Sequence, residues 1–374
     1  MLSLRRGRVI STDPLTVDVG GERRAAWADA SLVGEVAEGD EVIVNTAALD
    51  LGLGSGGFDV VHANLTRGLQ AGDEARPGAH VMKLNYTSLQ HPVEPAEVPL
   101  EGEGEGVHPA AAEQNRDQEA PSADGPSPPV LVLPLHGHLA PATWAAAQAR
   151  PGVGIGYVQT AGGALPGSLS RDATELRRRG LLAGHLTAGP AYGGEHEAIT
   201  VLGGLDAAAR RLGWEAIVCG PGPGILGSAT AYGHGGIAAL ENAHAALALG
   251  LPTLLSPRLS GSDPRSRHRG LSHHTEAVLD LLLGSVRVPV PELELEGWPT
   301  GDEGSDPVDL PSVLDALHRV CDERHDVAVA PVDLDGYATS GLPARTMGRT
   351  LVDDPLFFAA PLAAGAALAG AIGV

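Results

Sequence analysis

The sequence predicts a two-part chain: a small N-terminal β-barrel-like domain, then a doubly wound α/β domain with a mostly parallel sheet. Three observations predict it. The first hundred residues carry short apolar runs split by Gly, Asp and Pro, with no helical period. From Pro129 onward, short apolar strands alternate with amphipathic helices. The later strands are continuous apolar runs, as strands covered on both faces require.

Within residues 1–97 the strand candidates are Arg8-Val9-Ile10, Leu15–Val19, Glu41–Val44, Phe58–Val61 and His80–Leu84. Gly39-Asp40 forms the turn before Glu41. Residues 98–128 change character. Glu101, Glu103 and Glu105 alternate with glycine, then Pro, Ala, Gln and Ser follow, so an acidic disordered linker is expected. The α/β ligand-binding domain spans 129–374. Its strand candidates are Val130–Leu135, Gly154–Val158, Leu182–Thr187, Ala216–Cys219, Thr253–Ser256, Val286–Val290 and Val327–Pro331. Helices are expected over Ala142–Ala149, Ser170–Arg179, Ala198–Leu212, Ile237–Leu249, Thr275–Leu283 and Ser312–Arg324.

Charge limits the partners. The net charge is −21, which argues against nucleic acid, whose phosphates need a basic face, and against anionic membranes. Only Cys219 and Cys321 are cysteines, which fits a reducing cytoplasm. No apolar segment near Met1 reads as a signal peptide. The charge-free run Leu356–Val374 is long enough to reach across a bilayer, but alanine is weakly apolar and Pro361 interrupts it. A helix packed on the core is the expectation, rather than a tail anchor. Assembly into a homo-oligomer is left open, and no cofactor is assigned.

Against that acidic background the stretch Arg265–His274 holds three arginines and three histidines. Gly270 then Ser272 reads as a turn and a helix N-cap, a place where backbone N–H groups favour anions. Ligands of open α/β sheets bind beyond the carboxyl ends of the strands. Seven of the fifteen histidines fall in the segments that follow the strands: His136, His138, His196, His234, His268, His273 and His274. So do the glycine pairs Gly162-Gly163 and Gly235-Gly236.

The expected site therefore joins several loops. Arg258, Arg267, His268 and Arg269 would bind an anion. Gly162, Gly163, Gly222, Gly224 and Gly227 would bring backbone amides to the ligand. His273, His274 and His196 would move protons, with Glu195 as a base. The spacing of Gly222, Gly224 and Gly227 fits a dinucleotide loop, a general phosphate loop and a tight structural turn. No acidic residue ends the next strand to take a ribose hydroxyl. A metal reading uses His136 and His138 first, with His196, the His268/His273/His274 group, Glu195 and Asp263 as further donors. Cys219 ends a strand and reads as a buried thiol. Lys83, the chain's one lysine, reads as a solvated strand residue. The functional expectation is an enzyme acting on a small phosphorylated or carboxylated metabolite. The alternatives are a non-catalytic ligand-binding or assembly subunit and a metal-dependent hydrolase.

The chain resembles a bacterial family known as domain of unknown function 3866. The resemblance rests on Leu51–Gly57, His80–Thr87, Gly162–Pro166, Gly220–Gly224 and Arg267–His274. It covers nearly the whole length apart from the linker and implies no activity. A fainter likeness, to the larger precursor subunit of glycine and proline reductases, lies in the two-domain order and in Gly193–Ala198. The catalytic cysteine and pyruvoyl-forming segments of those proteins have no match here, so that likeness implies a shared fold at most.

Overall fold

The structure is a computed structural model that describes residues 2–54, 56–70, 78–97, 126–228, 230–293 and 308–373. The expected linker, 98–128, lies outside the described residues but for its last three. Two compact units are present, the first ending at Glu94 and the second beginning at Pro95.

In the first unit, β1 (Leu4–Thr12), β2 (Leu15–Val19), β3 (Glu22–Trp27), β4 (Glu41–Asn45) and β5 (Asp59–Asn64) close a barrel in the order β1-β2-β3-β5-β4. Val9, Val17, Val19, Val42, Val44 and Val61 fill it, so one face of each contributing strand supplies the core. Short helices α1 (Ala30–Val33) and α2 (Ala47–Asp50) fall between strands. Strand β3 carries Glu22, Arg23 and Arg24, and so escapes a search for apolar runs. Arg24 is nonetheless buried, because Asp59 and Asp50 take its guanidinium. The segment expected as the last barrel strand instead forms β6 (Val81–Lys83), paired in a separate hairpin with β7 (His91–Val93). Lys83 there is buried, not solvated.

The second unit is built on an eight-stranded parallel sheet. Its strands are β8 (Val130–Val132), β9 (Ile155–Thr160), β10 (Gly184–Ala188), β11 (His196–Ala198), β12 (Ala216–Pro221) and β13 (Thr253–Leu255). After the short hairpin β14 (Leu259–Ser260) and β15 (Gly270–Leu271) come β16 (Arg287–Pro291) and β17 (Asp326–Ala330). The order is β11-β10-β9-β12-β8-β13-β16-β17. Strand β8 stops at Val132: Leu133 N still bonds Cys219 O, but Pro134 has no N–H to continue the ladder. Residues His196–Ala198, where a helix was expected to begin at Ala198, form β11. The helix starts after its N-cap, Thr200, whose side chain accepts from Gly203 N.

Helices cover both faces. On one lie α3 (Leu139–Ala149), α4 (Arg171–Arg178), the short α9 (Leu334–Thr339) and α10 (Pro355–Gly370). On the other lie α5 (Val201–Arg210), α6 (Ala238–Ala248), α7 (His273–Leu281) and α8 (Leu310–Cys321). A last hairpin, β18 (Arg345–Thr346) with β19 (Arg349–Thr350), precedes α10.

The charge-free C-terminal run is thus α10, buried almost all round against α3 and the sheet. No described helix is long and apolar enough to cross a membrane. The α3/α10 crossing depends on Gly365, whose added Cβ would lie 2.0 Å from the Ala142 carbonyl oxygen. Gly365→Ala should therefore destabilise the protein by about 1–3 kcal/mol, the usual cost of overpacking. Urea unfolding measures this. An unchanged midpoint would mean that the two helices part freely.

Candidate functional site

Neighbouring strands β12 and β8 send the chain in opposite directions, β8 across β12 to β9 and β12 across β8 to β13. This is a topological switch point, where the following loops diverge and leave a crevice beyond the strand ends. A cavity of about 430 Å³ opens there. Its walls come from the β8 loop (Leu135–Gly137), the β12 loop (Pro223–Gly227, Thr230 and His234), the β13 loop and start of α7 (Arg258, Arg265, Arg267, His268, His273 and His274), and the β18/β19 hairpin (Thr346 and Met347). No aspartate or glutamate is in this lining, although the chain as a whole is strongly acidic.

The β13 loop is held by its own hairpin. Leu259 and Ser260 pair with Leu271 and Gly270, so residues 261–269 bulge out as a closed excursion. Ser272 caps α7, its side chain accepting from His274 N. Its carbonyl also takes the Thr275 and Glu276 amides, so much of the helix N-terminus expected to cradle an anion is already bonded. Guanidinium groups therefore carry more of any anion recognition than this helix end does.

Beneath the excursion lies a buried charge network. The Asp263 carboxylate is fully buried among Arg258, Arg265 and Arg349 at 3.3, 2.8 and 3.4 Å. Burial alone would raise its pKa, but bonds from Arg265 and the charges of Arg265 and Arg349 outweigh it and hold the carboxyl well below the usual range. Asp354, also buried, accepts from Ser260 Oγ, Gly261 N and Arg349 Nε. Burial lowers Arg258 to about 10, which leaves it charged near neutrality. Its Nη2 donates to Asp263, its Nη1 lies 3.4 Å from His274 Nδ1, and its Nε has no partner. Arg265 is bidentate on Asp263. Arg267, by contrast, is exposed at the cavity wall and its side chain makes no ion pair among the described residues.

Four imidazoles meet on the cavity wall. His234 and His274 stack with centroids 3.6 Å apart and planes 7° from parallel. His273 lies 4.4 Å from His274, and His268 stands edge-on to His274 at 4.7 Å. Burial first, then the neighbouring His234 and Arg258, lowers His274 to about 2. Burial, with Arg258 and Arg265, lowers His268 to about 3. Burial also lowers His234. Stacked rings this close to guanidinium groups cannot both be cations, and His234 and His274 stay neutral near pH 7.

The sequence-expected residues divide sharply. Arg258, Arg267, His268, His273, His274, Gly224, Gly227 and His136 come together around the cavity. Gly162, Gly163 and Gly222 do not line it; they let loops touch. An added Cβ on Gly163 would lie 2.0 Å from Gly222 O, and one on Gly162 2.4 Å from Gly235 O. Arg269 is absent from the lining. His196 is packed on Trp214 at the sheet edge, and Glu195 is paired with Arg177. Neither joins the other site residues.

The two histidines first in line for a metal are built into the fold. His136 has both ring nitrogens engaged, Nδ1 with Pro221 O at 3.3 Å and Nε2 with Ser170 Oγ at 3.0 Å. His138 bonds Ser256 Oγ through Nδ1, packs edge-on to Phe357, and is outside the lining. Among the described residues, the group able to meet at one ion is instead His234, His273 and His274, whose donor atoms lie within 4.8 Å of one another. Cys219 is fully buried and burial pushes its thiol far up, which excludes a thiolate nucleophile there.

Sequence reasoning missed His234 as a site residue, along with Arg265, Thr346 and Met347. His234 had one signal, its place among glycines after β12. Thr346 and Met347 had none, since they arrive from a hairpin far along the chain.

A protein-family model described as "Protein of unknown function (DUF3866)" matches residues 25–365. The chain belongs to this family. Its match takes in the glycine loops, the arginine–histidine segment and the hairpin at the cavity. No curated protein and no solved structure matches the chain significantly.

Proposed function

We propose that the protein is an enzyme acting on a small anionic metabolite, phosphorylated or carboxylated, bound in the switch-point cavity. One observation carries this reading: in a chain of net charge −21, the cavity lining holds three arginines, five histidines and no carboxylate. Low-dielectric walls and a lining in which the Arg267 guanidinium has no ion pair among the described residues concentrate an anion there. Arg258 and Arg265 are held by Asp263, so they act as a fixed field. Arg267 is uncommitted and anchors the ligand. The size suits a metabolite of modest size rather than a polymer. His274 is too far below neutrality to exchange a proton near pH 7, so it serves through its lone pair.

Thermal shifts with a panel of phosphorylated and carboxylated metabolites test the reading. At least one anion should raise the melting temperature, and Arg267→Ala should weaken its binding by about 1.5–3 kcal/mol, the usual value of a charge-assisted hydrogen bond. If no member shifts the protein, the reading fails. If a ligand binds and is returned chemically unchanged when cell extract is added, the cavity serves a binding subunit instead.

A further inference from the structure

We propose that His234, His273 and His274 bind one divalent transition-metal ion of the zinc class, with its open coordination position facing the cavity. The hydrogen bonds already assign the lone pairs. His234 Nε2 lies 3.0 Å from Ala231 O, and a carbonyl oxygen only accepts, so the ring proton sits on Nε2. Its Nδ1 therefore presents a bare lone pair, and that atom is buried with no partner. His273 repeats the arrangement with the nitrogens exchanged. Its Nδ1 donates to Arg267 O at 3.2 Å, which leaves the lone pair on Nε2. A metal-bound histidine commonly donates its second N–H to a backbone carbonyl, which fixes tautomer and ring orientation.

The third donor is held against the first. His274 stacks on His234, and Gly236 makes this approach feasible: an added Cβ there would lie 3.0 Å from His274 Nδ1 and 3.2 Å from His234 Nδ1. The contact of Arg258 Nη1 with His274 Nδ1 is long, 3.4 Å, and Arg258 keeps Asp263 if it is given up. His268, bonded to the α7 cap Ser272 at 2.7 Å, braces His274 from the side and acts as a positioning residue.

Donor chemistry selects the ion. Three imidazoles without a carboxylate suit Zn²⁺, Co²⁺, Ni²⁺ or Cu²⁺, whereas Mg²⁺ and Ca²⁺ require oxygen. Three histidines also leave a position for water or a ligand oxygen, as in catalytic rather than structural zinc sites. All three histidines line the cavity, so that position opens toward the arginines. Neutral ligands leave the ion's full charge in place, and its remaining partner is then an anion oxygen. Only this last point rests on the anion reading; metal binding itself does not.

Full-length protein freed of metal with a chelator and titrated with Zn²⁺ by calorimetry, and with Co²⁺ by visible absorbance, tests the site. Saturation at one ion per chain is expected, with the intense visible bands of a low-coordinate nitrogen-bound Co²⁺. His273→Gln and His234→Gln should each weaken binding by at least ~10–100-fold, the loss that follows even from removing an outer partner of a metal-bound histidine. His318→Gln, on the exposed face of α8, should bind as the parent does. His273 is half-exposed, so its variant decides the matter if His234→Gln does not fold. Failure to saturate at one ion per chain, or parent-like affinity in a folded His273→Gln, overturns the proposal. A metabolite shift that persists in the chelated protein would leave the anion reading standing alone.

Discussion

Asp263→Ala is expected to destabilise the α/β unit by about 3–5 kcal/mol. Three arginines converge on this one carboxylate, and Arg258 is itself buried. Removing the carboxylate leaves that guanidinium in a low-dielectric interior with His274 as its remaining partner, a ring already neutral. An uncompensated buried charge is the costly outcome, far more than the loss of the pair's own attraction. Asp354 cannot take over, because Ser260, Gly261 and Arg349 already bond it. The comparison variant is Asp326→Ala, which breaks a pair with Arg287 in which both side chains are more than half exposed. That change should cost no more than about 1 kcal/mol. Guanidinium unfolding of the two variants at neutral pH separates a buried network from a surface pair. Equal costs would show that water reaches Asp263. The variant should also lose ligand shifts, since Arg258 and Arg265 are oriented by the carboxylate it lacks.

Much of the α/β unit was legible because its signals are local. Strands such as Val130–Val132 and Ala216–Pro221 are continuous apolar runs, and helices start at side chains that cap them, as Ser170 and Ser272 do. The barrel strand β3 was not legible. Its arginines look solvated until Asp59 and Asp50, far along the chain, supply partners. Lys83 misled for the same reason, since burial of a charged side chain depends on groups that periodicity does not reveal.

The site was legible as a place more than as a list. Looking beyond strand ends found the Arg265–His274 segment and most of the cavity wall, because parallel order alone brings those ends to one edge. Assigning roles to glycines went astray. Gly163 and Gly222 look like phosphate-loop glycines in one dimension, yet each is glycine because another loop's backbone presses on it. His196 failed differently. In the sequence it reads as a loop residue beyond β10, but it begins a short edge strand, β11, in register with Leu186 and with its ring against Trp214, so it does not reach the carboxyl edge. The excursion 261–269 was visible as charge but not as shape. Its hairpin has only two residues in each strand, too short for any alternation to show.

Acid should unfold the protein earlier than its carboxylates alone would. Buried histidines set this behaviour: His268 and His274 on the cavity wall, and two more outside it. Burial lowers His138 to about 3, assisted by the charge of Arg258. Burial lowers His185 to about 4, opposed by Glu195 and assisted by His136, Arg177 and His196. In the unfolded chain both return to about 6.5. The folded pKa is the lower, so the unfolded state takes up the protons first as pH falls. Stability is therefore complete above about pH 6.5 and declines steadily below it. Each pH unit costs about 1.4 kcal/mol per histidine, so at about pH 4.5 His138 and His185 alone remove on the order of 5 kcal/mol, and His268 and His274 add to the loss. That is the scale of a whole domain's stability. Asp263 also has a lowered folded pKa, but its contribution disappears only below about pH 4, the unfolded value for aspartate, and so falls outside this window. Urea unfolding between about pH 7.5 and 4.5 should show the midpoint dropping from pH 6.5 downward. In His185→Gln, whose side chain can still face Gln159 across the bond His185 now makes at 3.1 Å, the slope should fall by about a quarter, one of four such histidines having been removed. A flat midpoint down to about pH 5, or an unchanged slope in the variant, would mean that these rings take up protons in the folded state and that water reaches them.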